Sequence, residues 1–277
     1  MHPYQILLIN YFSYYFINRN ISMSFDFRAA ERQNYLDSYI TLTNSRDGEV
    51  RQFGPITAIS TGIPHTEYNR VFVFEPPSHD DFTAAMGWVE TRDVPFWLTT
   101  TETTSPLIED LAGEHGFRKI NRTNPGMVLE SLAEIPPQDS DVDIIEVTDS
   151  TGLEDFITVF SAVFDVPGEY LRPDPSNANA TEDDARTAFV GYLDDRPVAT
   201  GSLFRSETVA GVFAIAVVEA ARGRGIGEAM TLEMLRAGRE AGCRIGVLQS
   251  TEMAIPLYEK LGFETVETYH FFESTTV

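Results

Sequence analysis

A glycine-rich basic segment, Arg222-Gly-Arg-Gly-Ile-Gly227, stands between an apolar run and a stretch with helical periodicity. The start of a helix presents backbone N–H groups without intrahelical partners and the positive end of the helix dipole, and both attract anions. Glycine lets a phosphate approach the backbone without a Cβ in between, and Arg222 and Arg224 add positive charge. The segment therefore predicts a phosphate or pyrophosphate site.

Three interpretations of this segment compete. A dinucleotide-binding turn needs Gly-x-Gly-x-x-Gly directly after a strand, whereas the spacing here is Gly-x-Gly-x-Gly. A glycine-rich turn can also serve packing alone. The third interpretation is a site for the pyrophosphate of coenzyme A.

A second chemical candidate is Tyr258, in the segment Ala254-Ile-Pro-Leu-Tyr-Glu-Lys-Leu-Gly-Phe263. Ala254, Leu257, Tyr258 and Leu261 have the i, i+3, i+4, i+7 spacing of one helix face. A tyrosine hydroxyl can donate a proton as a general acid. The alternative is an amphipathic tyrosine that only packs in a core.

Together these segments resemble the GNAT superfamily of N-acetyltransferases. The family motif Arg/Gln-x-x-Gly-x-Gly/Ala, after a strand that ends in a Leu-Ala-Val-like triplet, matches Arg222-Gly-Arg-Gly-Ile-Gly227 after Ile215-Ala-Val217. Ala254 to Phe263 is similar to the family signature Ala-x-x-x-Tyr-x-x-x-Gly-Phe. The resemblance covers residues 139–277.

The resemblance implies acetyl-coenzyme A as co-substrate, no metal, and direct attack of a primary amine on the thioester. Tyr258 is the implied general acid for the leaving thiolate. The implied cofactor-binding residues are Ala216, Val217, Val218, Arg222, Gly223, Arg224, Gly225, Ile226, Gly227 and Thr251. For the general base, Glu207 and Glu219 flank a strand that itself holds no acid, and the choice between them stays open.

The resemblance also divides the chain. Gln249-Ser-Thr-Glu-Met-Ala254 is similar to a segment in a GNAT subgroup whose N-terminal half is a degenerate GNAT-like domain. We therefore expect such a domain over 23–134, a linker over 135–142 and a catalytic domain over 143–277. The first half lacks an Arg-x-x-Gly-x-Gly motif, so we expect it to shape the acceptor cleft or support the fold. Residues 1–22 are interpreted as a non-native or disordered extension.

The elements that must position these residues follow from periodicity. Val212 to Val218 is nearly all apolar, which predicts a central strand buried on both faces. Ile226 to Ala241 has amphipathic spacing and ends at Gly242, which predicts the next helix. Strand, helix and Gly-Phe recur in the same order around Gly116 and Gly262, which indicates an internal repeat. The predicted class is α/β, an α+β mixed sheet: tandem GNAT-like domains around a central, mostly antiparallel sheet flanked by helices.

The amino-acid composition limits the kinds of binding partner that we expect. The 277 residues include 42 acids against 20 basic residues, a net charge of −22, so a nucleic-acid backbone is not an expected partner. A single cysteine, Cys243, fits a reducing, cytoplasmic location, and we interpret the acidic composition as halophilic. No segment predicts a membrane span. The expected partner is a small-molecule or peptide amine, and a homodimer stays open.

Two functions compete with the enzyme. One is a sensor or scaffold module that binds acyl-coenzyme A without catalysis. The other is a purely structural two-domain protein. The first retains the glycine-rich segment as a binding site, whereas the second gives it no ligand.

Overall fold

The computed structural model describes residues 25–44, 46, 48–138, 140–172 and 185–274. The predicted extension over 1–22 lies outside these residues. In the first half, α1 spans Phe27–Asn44, β1 Glu49–Phe53, β2 Ile56–Ser60, β3 Arg70–Val73, α2 His79–Glu90, β4 Trp97–Thr101, α3 Ser105–Glu114 and β5 Phe117–Leu129. In the second half, β6 spans Asp143–Glu146, α4 Ser150–Phe164, β7 Arg186–Leu193, β8 Arg196–Ser206, β9 Val209–Val217, α5 Ile226–Glu240, β10 Ile245–Gln249, α6 Ile255–Lys260 and β11 Glu264–Ser274.

All these strands join one eleven-stranded sheet in the order β1-β2-β3-β4-β11-β5-β10-β9-β8-β7-β6. Only the β3–β4 and β9–β10 pairings are parallel among the described strands. The predicted mixed, mostly antiparallel sheet flanked by helices is therefore confirmed.

The two halves exchange strands at the centre of the sheet. Strand β11 lies between β4 and β5, and β5 lies between β11 and β10. The order β4-α3-β5 in the first half repeats as β10-α6-β11 in the second, as the predicted internal repeat requires. The linker over 135–142 stays a prediction, and the strands before and after it join one sheet.

Helices cover both faces of the sheet. A Cβ on Gly191 of β7 would meet Met230 of α5, whereas the hydroxyl of the next residue, Tyr192, donates to Asp155 of α4 at 2.8 Å. Because neighbouring residues of a strand face opposite ways, α4 and α5 lie on opposite faces. Helix α1 buries Tyr35 against Phe72 and Phe271 on the α4 face.

The helix starts differ in a way that matters for ligands. Helix α2 is capped by Ser78, whose hydroxyl accepts from the Asp81 amide, and its first turn holds Asp80 and Asp81. Helix α5 follows Gly225 and has no side-chain cap. An N-terminus already capped and acidic does not attract an anion, so the α5 start resembles an anion site and the α2 start does not. Among the described residues, no helix has the length and apolar character needed to cross a bilayer.

Candidate active site

The centre of the second half contains a gap between two parallel strands. Strand β10 pairs with β9 through Ile245↔Val209, Gly246↔Ala210 and Val247↔Gly211, and the pairing then ends. Strand β9 continues to Val217 on β8 alone. We call the space between this continuation and the end of β10 the strand gap, and its closed end lies at the Gly211–Val247 pair.

The strand gap changes the expected burial of β9. The prediction that Val212–Val218 is buried on both faces is wrong at Phe213, Ala214 and Ile215, which are only half-buried, whereas Val212 and Ala216 are buried. The physical reason is the missing neighbour, since one edge of this part of β9 faces no strand. In the first half, by contrast, β3 pairs with β4 along its whole length, from Arg70↔Trp97 to Val73↔Thr100. No comparable opening separates that pair.

A β-bulge shapes β9 beside the strand gap. The register with β8 shifts between Thr200 and Ser202, and Ala214 adopts a left-handed conformation with φ 55°. The hydroxyl of Thr200 donates to the Ala214 carbonyl at 3.1 Å, which holds the bulge in place. Bulges redirect a strand, and this one bends β9 where β10 has left it.

Backbone groups of β9 divide between β8 and the strand gap. The Val218 amide donates to the Val198 carbonyl of β8 at 2.9 Å, and Ala216 pairs with Thr200. Alternation along an antiparallel pair then directs the Val217 groups away from β8. Of the three predicted backbone partners, Val217 is therefore the one whose N–H faces the strand gap, while its carbonyl accepts from Arg222 Nε.

The glycine turn lies at the open end of β9. Gly223 and Gly225 have φ of 74° and 75°, a left-handed conformation that glycine adopts without strain, while Ile226 is buried and anchors the helix. Beside the turn is a cavity of about 230 Å³. It is lined by Val217, Ala221, Arg222, Gly223, Gly225, Ile226, Gly227, Glu228 and Leu257.

Gly227 provides a test of fit for a ligand. It lies in the first turn of α5, and a Cβ there would meet only Leu257 at 3.7 Å and Val217 at 3.9 Å, which are ordinary contacts. Alanine would stabilise a helix by about 1 kcal/mol relative to glycine. Nothing in the protein itself thus requires glycine at 227, whereas a phosphate held close to the backbone does.

Charges around the turn favour an anion. Arg222 and Arg224 are exposed, and Arg222 Nε donates to the Val217 carbonyl at 3.0 Å, which fixes this side chain across the turn. The acid of the first turn, Glu228, is paired with Lys260, whose Nζ lies 2.7 Å from Oε2. The turn therefore keeps its positive charge.

Tyr258 lies on α6, is 6% exposed and packs edge-on against Phe263 with ring centroids 5.8 Å apart. Its hydroxyl lies near Thr231, whose own hydroxyl donates to the Gly227 carbonyl at 2.8 Å. Burial raises the pKa of Tyr258 to about 12, which keeps the hydroxyl protonated at neutral pH. Leu257, the neighbouring residue, lines the cavity beside the turn, but Tyr258 does not.

The remaining residues predicted for the site are exposed. Thr251 is exposed at the N-cap position of a short 3-10 turn, where its side chain makes no capping hydrogen bond. Glu207 and Glu219 are exposed at the two ends of β9, and neither lies beside the half-buried segment 213–215. In the described part of the chain, no group of three or more His, Cys, Asp or Glu residues could hold a metal.

Sequence reasoning missed Glu31, an acid that α1 buries completely against the sheet. Gln249 Nε2 donates to its Oε1 at 2.6 Å, and the Tyr269 hydroxyl donates to its Oε2. Burial, more than any neighbour, raises the pKa of Glu31 to about 7. The available signal was weak: Glu31, Asn34, Tyr35 and Ser38 have the spacing of one helix face, but three of them are polar.

Part of this chain matches a known protein family, and the whole chain is similar to solved structures. Residues 153–263, which contain the strand gap, the glycine turn and Tyr258, match the model described as Acetyltransferase (GNAT) family. A GCN5-related N-acetyltransferase from Kribbella flavida has a TM-score of 0.66 at 17% identity, with 88% of this chain and 96% of that chain covered. A tandem GNAT protein from the clavulanic acid biosynthesis pathway has a TM-score of 0.53 at 16% identity, with 79% and 78% covered. The predicted tandem GNAT fold is therefore confirmed.

One curated relative is similar over a short stretch. A glucosamine 6-phosphate N-acetyltransferase of Trypanosoma brucei brucei is 41% identical over 46 residues, which are 17% of this chain and 31% of that protein. The chain thus matches about a third of the length of this relative. The comparisons thus give a match to the GNAT family model over residues 153–263 and a fold that the whole chain shares with solved GNAT structures.

Proposed function

We propose that this chain transfers an acetyl group from acetyl-coenzyme A to a primary amine. The carrying observation is the strand gap, which runs along the free edge of β9 to the exposed glycine turn at the start of α5. An elongated thioester with a diphosphate at one end suits this shape. The family match over 153–263 supports the same activity.

The residues of the turn and of β9 would bind the coenzyme. The amides of Gly223 to Gly227, with the dipole of α5, would hold the diphosphate, and Arg222 and Arg224 would add charge. The backbone of Val217 would pair with the pantetheine arm like an added strand, while Ala216 and Val218 would support it through β8. Thr251, exposed past the end of β10, would contact the coenzyme at its side chain.

Acetyl-coenzyme A supplies an activated acetyl group, so this chain needs only to orient the amine and manage protons. Amide N–H groups of β9 beside the bulge would polarise the thioester carbonyl. The amine would attack directly, forming the C–N bond as the C–S bond breaks, and the proton that its nitrogen loses would leave to solvent, from which Tyr258 would be reprotonated. Tyr258, protonated at neutral pH, would give its proton to the departing sulfur.

One observation favours a second candidate, a module that binds acyl-coenzyme A without catalysis. Tyr258 is 6% exposed and does not line the cavity beside the glycine turn, so it must turn toward the strand gap before it can protonate a thiolate there. The same glycine turn would then serve a sensor or scaffold.

Two measurements separate these candidates. A thermal shift tests binding, because millimolar acetyl-coenzyme A above a micromolar Kd stabilises a protein by about 4 kcal/mol. Thiol release is then followed with amino sugars, glucosamine 6-phosphate, polyamines, amino acids and a peptide N-terminus, at low and high salt. Amine-dependent release supports the enzyme. A thermal shift without release from any amine favours the sensor, and the absence of both overturns the proposal.

The setting of this activity is also part of the proposal. The single cysteine supports a cytoplasmic location, and the net charge of −22 supports a salt-rich one. The acceptor class is a small-molecule or peptide amine. Since β3 and β4 are paired throughout and α2 is capped by Ser78, the first half would shape the acceptor side rather than bind a second coenzyme.

A further inference from the structure

Helix α1 of the first half contacts the strands that border the strand gap of the second half. Gln249 is the last residue of β10 and lies beyond the final β9 pairing, at Val247. Val247 packs with Phe27 and Ala30 of α1, and residues two apart on a strand share a face. Gln249 therefore faces α1 beside the strand gap, opposite to the face that α5 and α6 cover.

Glu31 fixes the orientation of the Gln249 amide. An ionised carboxylate only accepts hydrogen bonds, so the amide nitrogen must face it, and the 2.6 Å contact from Nε2 to Oε1 has this arrangement. The amide oxygen is then turned away from Glu31. Among the described residues, no donor reaches that oxygen.

The surrounding backbone leaves room for this carboxylate. A Cβ on Gly126 of β5 would lie 2.7 Å from the Glu31 side chain, so glycine there is required by the buried acid. A second amide from α1 lies at the closed end of the strand gap: Asn34 Oδ1 would be 2.0 Å from a Cβ on Gly211. Asn34 is fully buried, and its Oδ1 has no hydrogen-bond partner in the described structure.

We propose that the Gln249 amide oxygen accepts an N–H bond from the acceptor amine, and that Glu31 is the positioning residue that directs this oxygen to the strand gap. This inference rests on the proposed acetyl transfer and names the acceptor side of that site. The amine would enter from the α1 face, whereas Tyr258 acts from the α6 face. Each half of the chain thus contributes to one reaction.

The titration of Glu31 gives the inference a pH signature. The groups that face it are Tyr269 and Glu267 of β11, Gln249 of β10, and Arg32 and Tyr35 of its own helix. Burial raises the pKa of Glu31 to about 7. Above that pH the carboxylate requires the amide nitrogen, whereas below it the protonated acid can donate to the amide oxygen and turn the amide around. Affinity for the amine should therefore rise with pH through about 7.

The test compares Glu31→Gln and Gln249→Met with the matched control Glu267→Gln, a neighbouring buried acid that Arg32 and the Thr268 amide hold away from Gln249. Thiol release is measured with the amine of the panel that the wild type uses fastest. In Glu31→Gln the new amide can donate to the Gln249 oxygen and reverse it. We expect KM for the amine to rise about 10-fold, with kcat and the Kd for acetyl-coenzyme A within about twofold. The inflection of kcat/KM near pH 7 should vanish in both variants and persist in Glu267→Gln.

The possible outcomes distinguish a failure of the proposed function from a failure of this inference alone. A wild type that releases no thiol with any amine fails the proposed function itself, and the inference fails with it. An active wild type whose Glu31→Gln variant keeps both its amine KM and its inflection overturns the inference alone. So does a variant in which kcat and thermal stability fall together while the inflection remains, because that result indicates a structural role.

Discussion

Lys260 Nζ lies 2.9 and 2.7 Å from the two carboxylate oxygens of Glu228, so the end of α6 is tied to the first turn of α5. Glu228 lines the cavity beside the glycine turn, where an uncompensated negative charge would repel a phosphate. Lys260 thus protects the positive character of the turn, so that neither arginine has to neutralise Glu228.

Lys260→Met should weaken acetyl-coenzyme A binding, because it exposes the Glu228 charge. Exposed ion pairs are worth about 0.2–1 kcal/mol, so we expect Kd to rise about threefold at low salt and to match the wild type at high salt. Titration calorimetry at two ionic strengths measures this. The double variant with Glu228→Gln should bind like the wild type, and an unchanged Kd for Lys260→Met at low salt would contradict the role of the pair.

Gly227→Ala should separate stability from binding. A Cβ there meets nothing closer than 3.7 Å, and alanine gains about 1 kcal/mol in a helix, so the melting temperature should stay equal or rise. The affinity for acetyl-coenzyme A should nevertheless fall more than about 10-fold, since the methyl group occupies the space of the diphosphate. Gly223→Ala is the contrast, because φ of 74° there should cost about 1–2 kcal/mol of stability. Full affinity in Gly227→Ala would place the diphosphate elsewhere.

Tyr258→Phe should lower turnover about 10²–10³-fold and leave the Kd for acetyl-coenzyme A unchanged, because it removes one proton donor and little shape. Thr231→Val is the matched control: it removes a neighbouring hydroxyl but not that of Tyr258, and it should retain most turnover. Single-turnover thiol release measures both. Full activity in Tyr258→Phe would remove this residue from proton transfer.

The alkaline limb of the pH profile tests the same residue. Burial raises the pKa of Tyr258 to about 12, so this acid keeps its proton well above pH 10. We expect kcat to show no loss between about pH 8 and 10. A decline with an apparent pKa near 9 or 10 would mean that another group donates the proton.

Glu31→Gln should change stability in a pH-dependent way. The pKa of Glu31 is raised from 4.5 to about 7 on folding, so between these values the folded protein binds more protons than the unfolded chain. Stability of the wild type therefore falls as pH rises through this window, by about 3 kcal/mol for this one group. In denaturant unfolding, the free energy of unfolding of Glu31→Gln should rise relative to that of the wild type from pH 4.5 to 7.5. A constant difference between the two proteins would show that Glu31 does not titrate on folding.

Much of the fold was predictable from local sequence patterns. Helix Ile226–Glu240 lies within a residue of its prediction, because Gly242 ends it and its apolar residues have helical spacing. Strand Glu49–Phe53 was missed, since its residues are charged or partly exposed and show no alternation. The first part of β5, from Phe117, shows no strand pattern either, because it is mostly polar and exposed.

The candidate site was predictable to the extent that it is local. The glycine turn and Tyr258 carry their chemistry in short motifs. The strand gap has no such motif. It depends on where the pairing of β9 with β10 ends, and the sequence of Val212–Val218 resembles that of any buried strand. Glu31 lies 218 residues from Gln249 along the chain, and no local pattern relates the two.

The exchange of strands also constrains the order of events during synthesis. Because β11 fills the position between β4 and β5, the sheet of the first half stays incomplete until Glu264–Ser274 has left the ribosome. Until the last segment is translated, the facing edges of β4 and β5 in the nascent N-terminal half therefore stay unpaired. Truncation near the C-terminus thus damages the beginning of the molecule as much as its end.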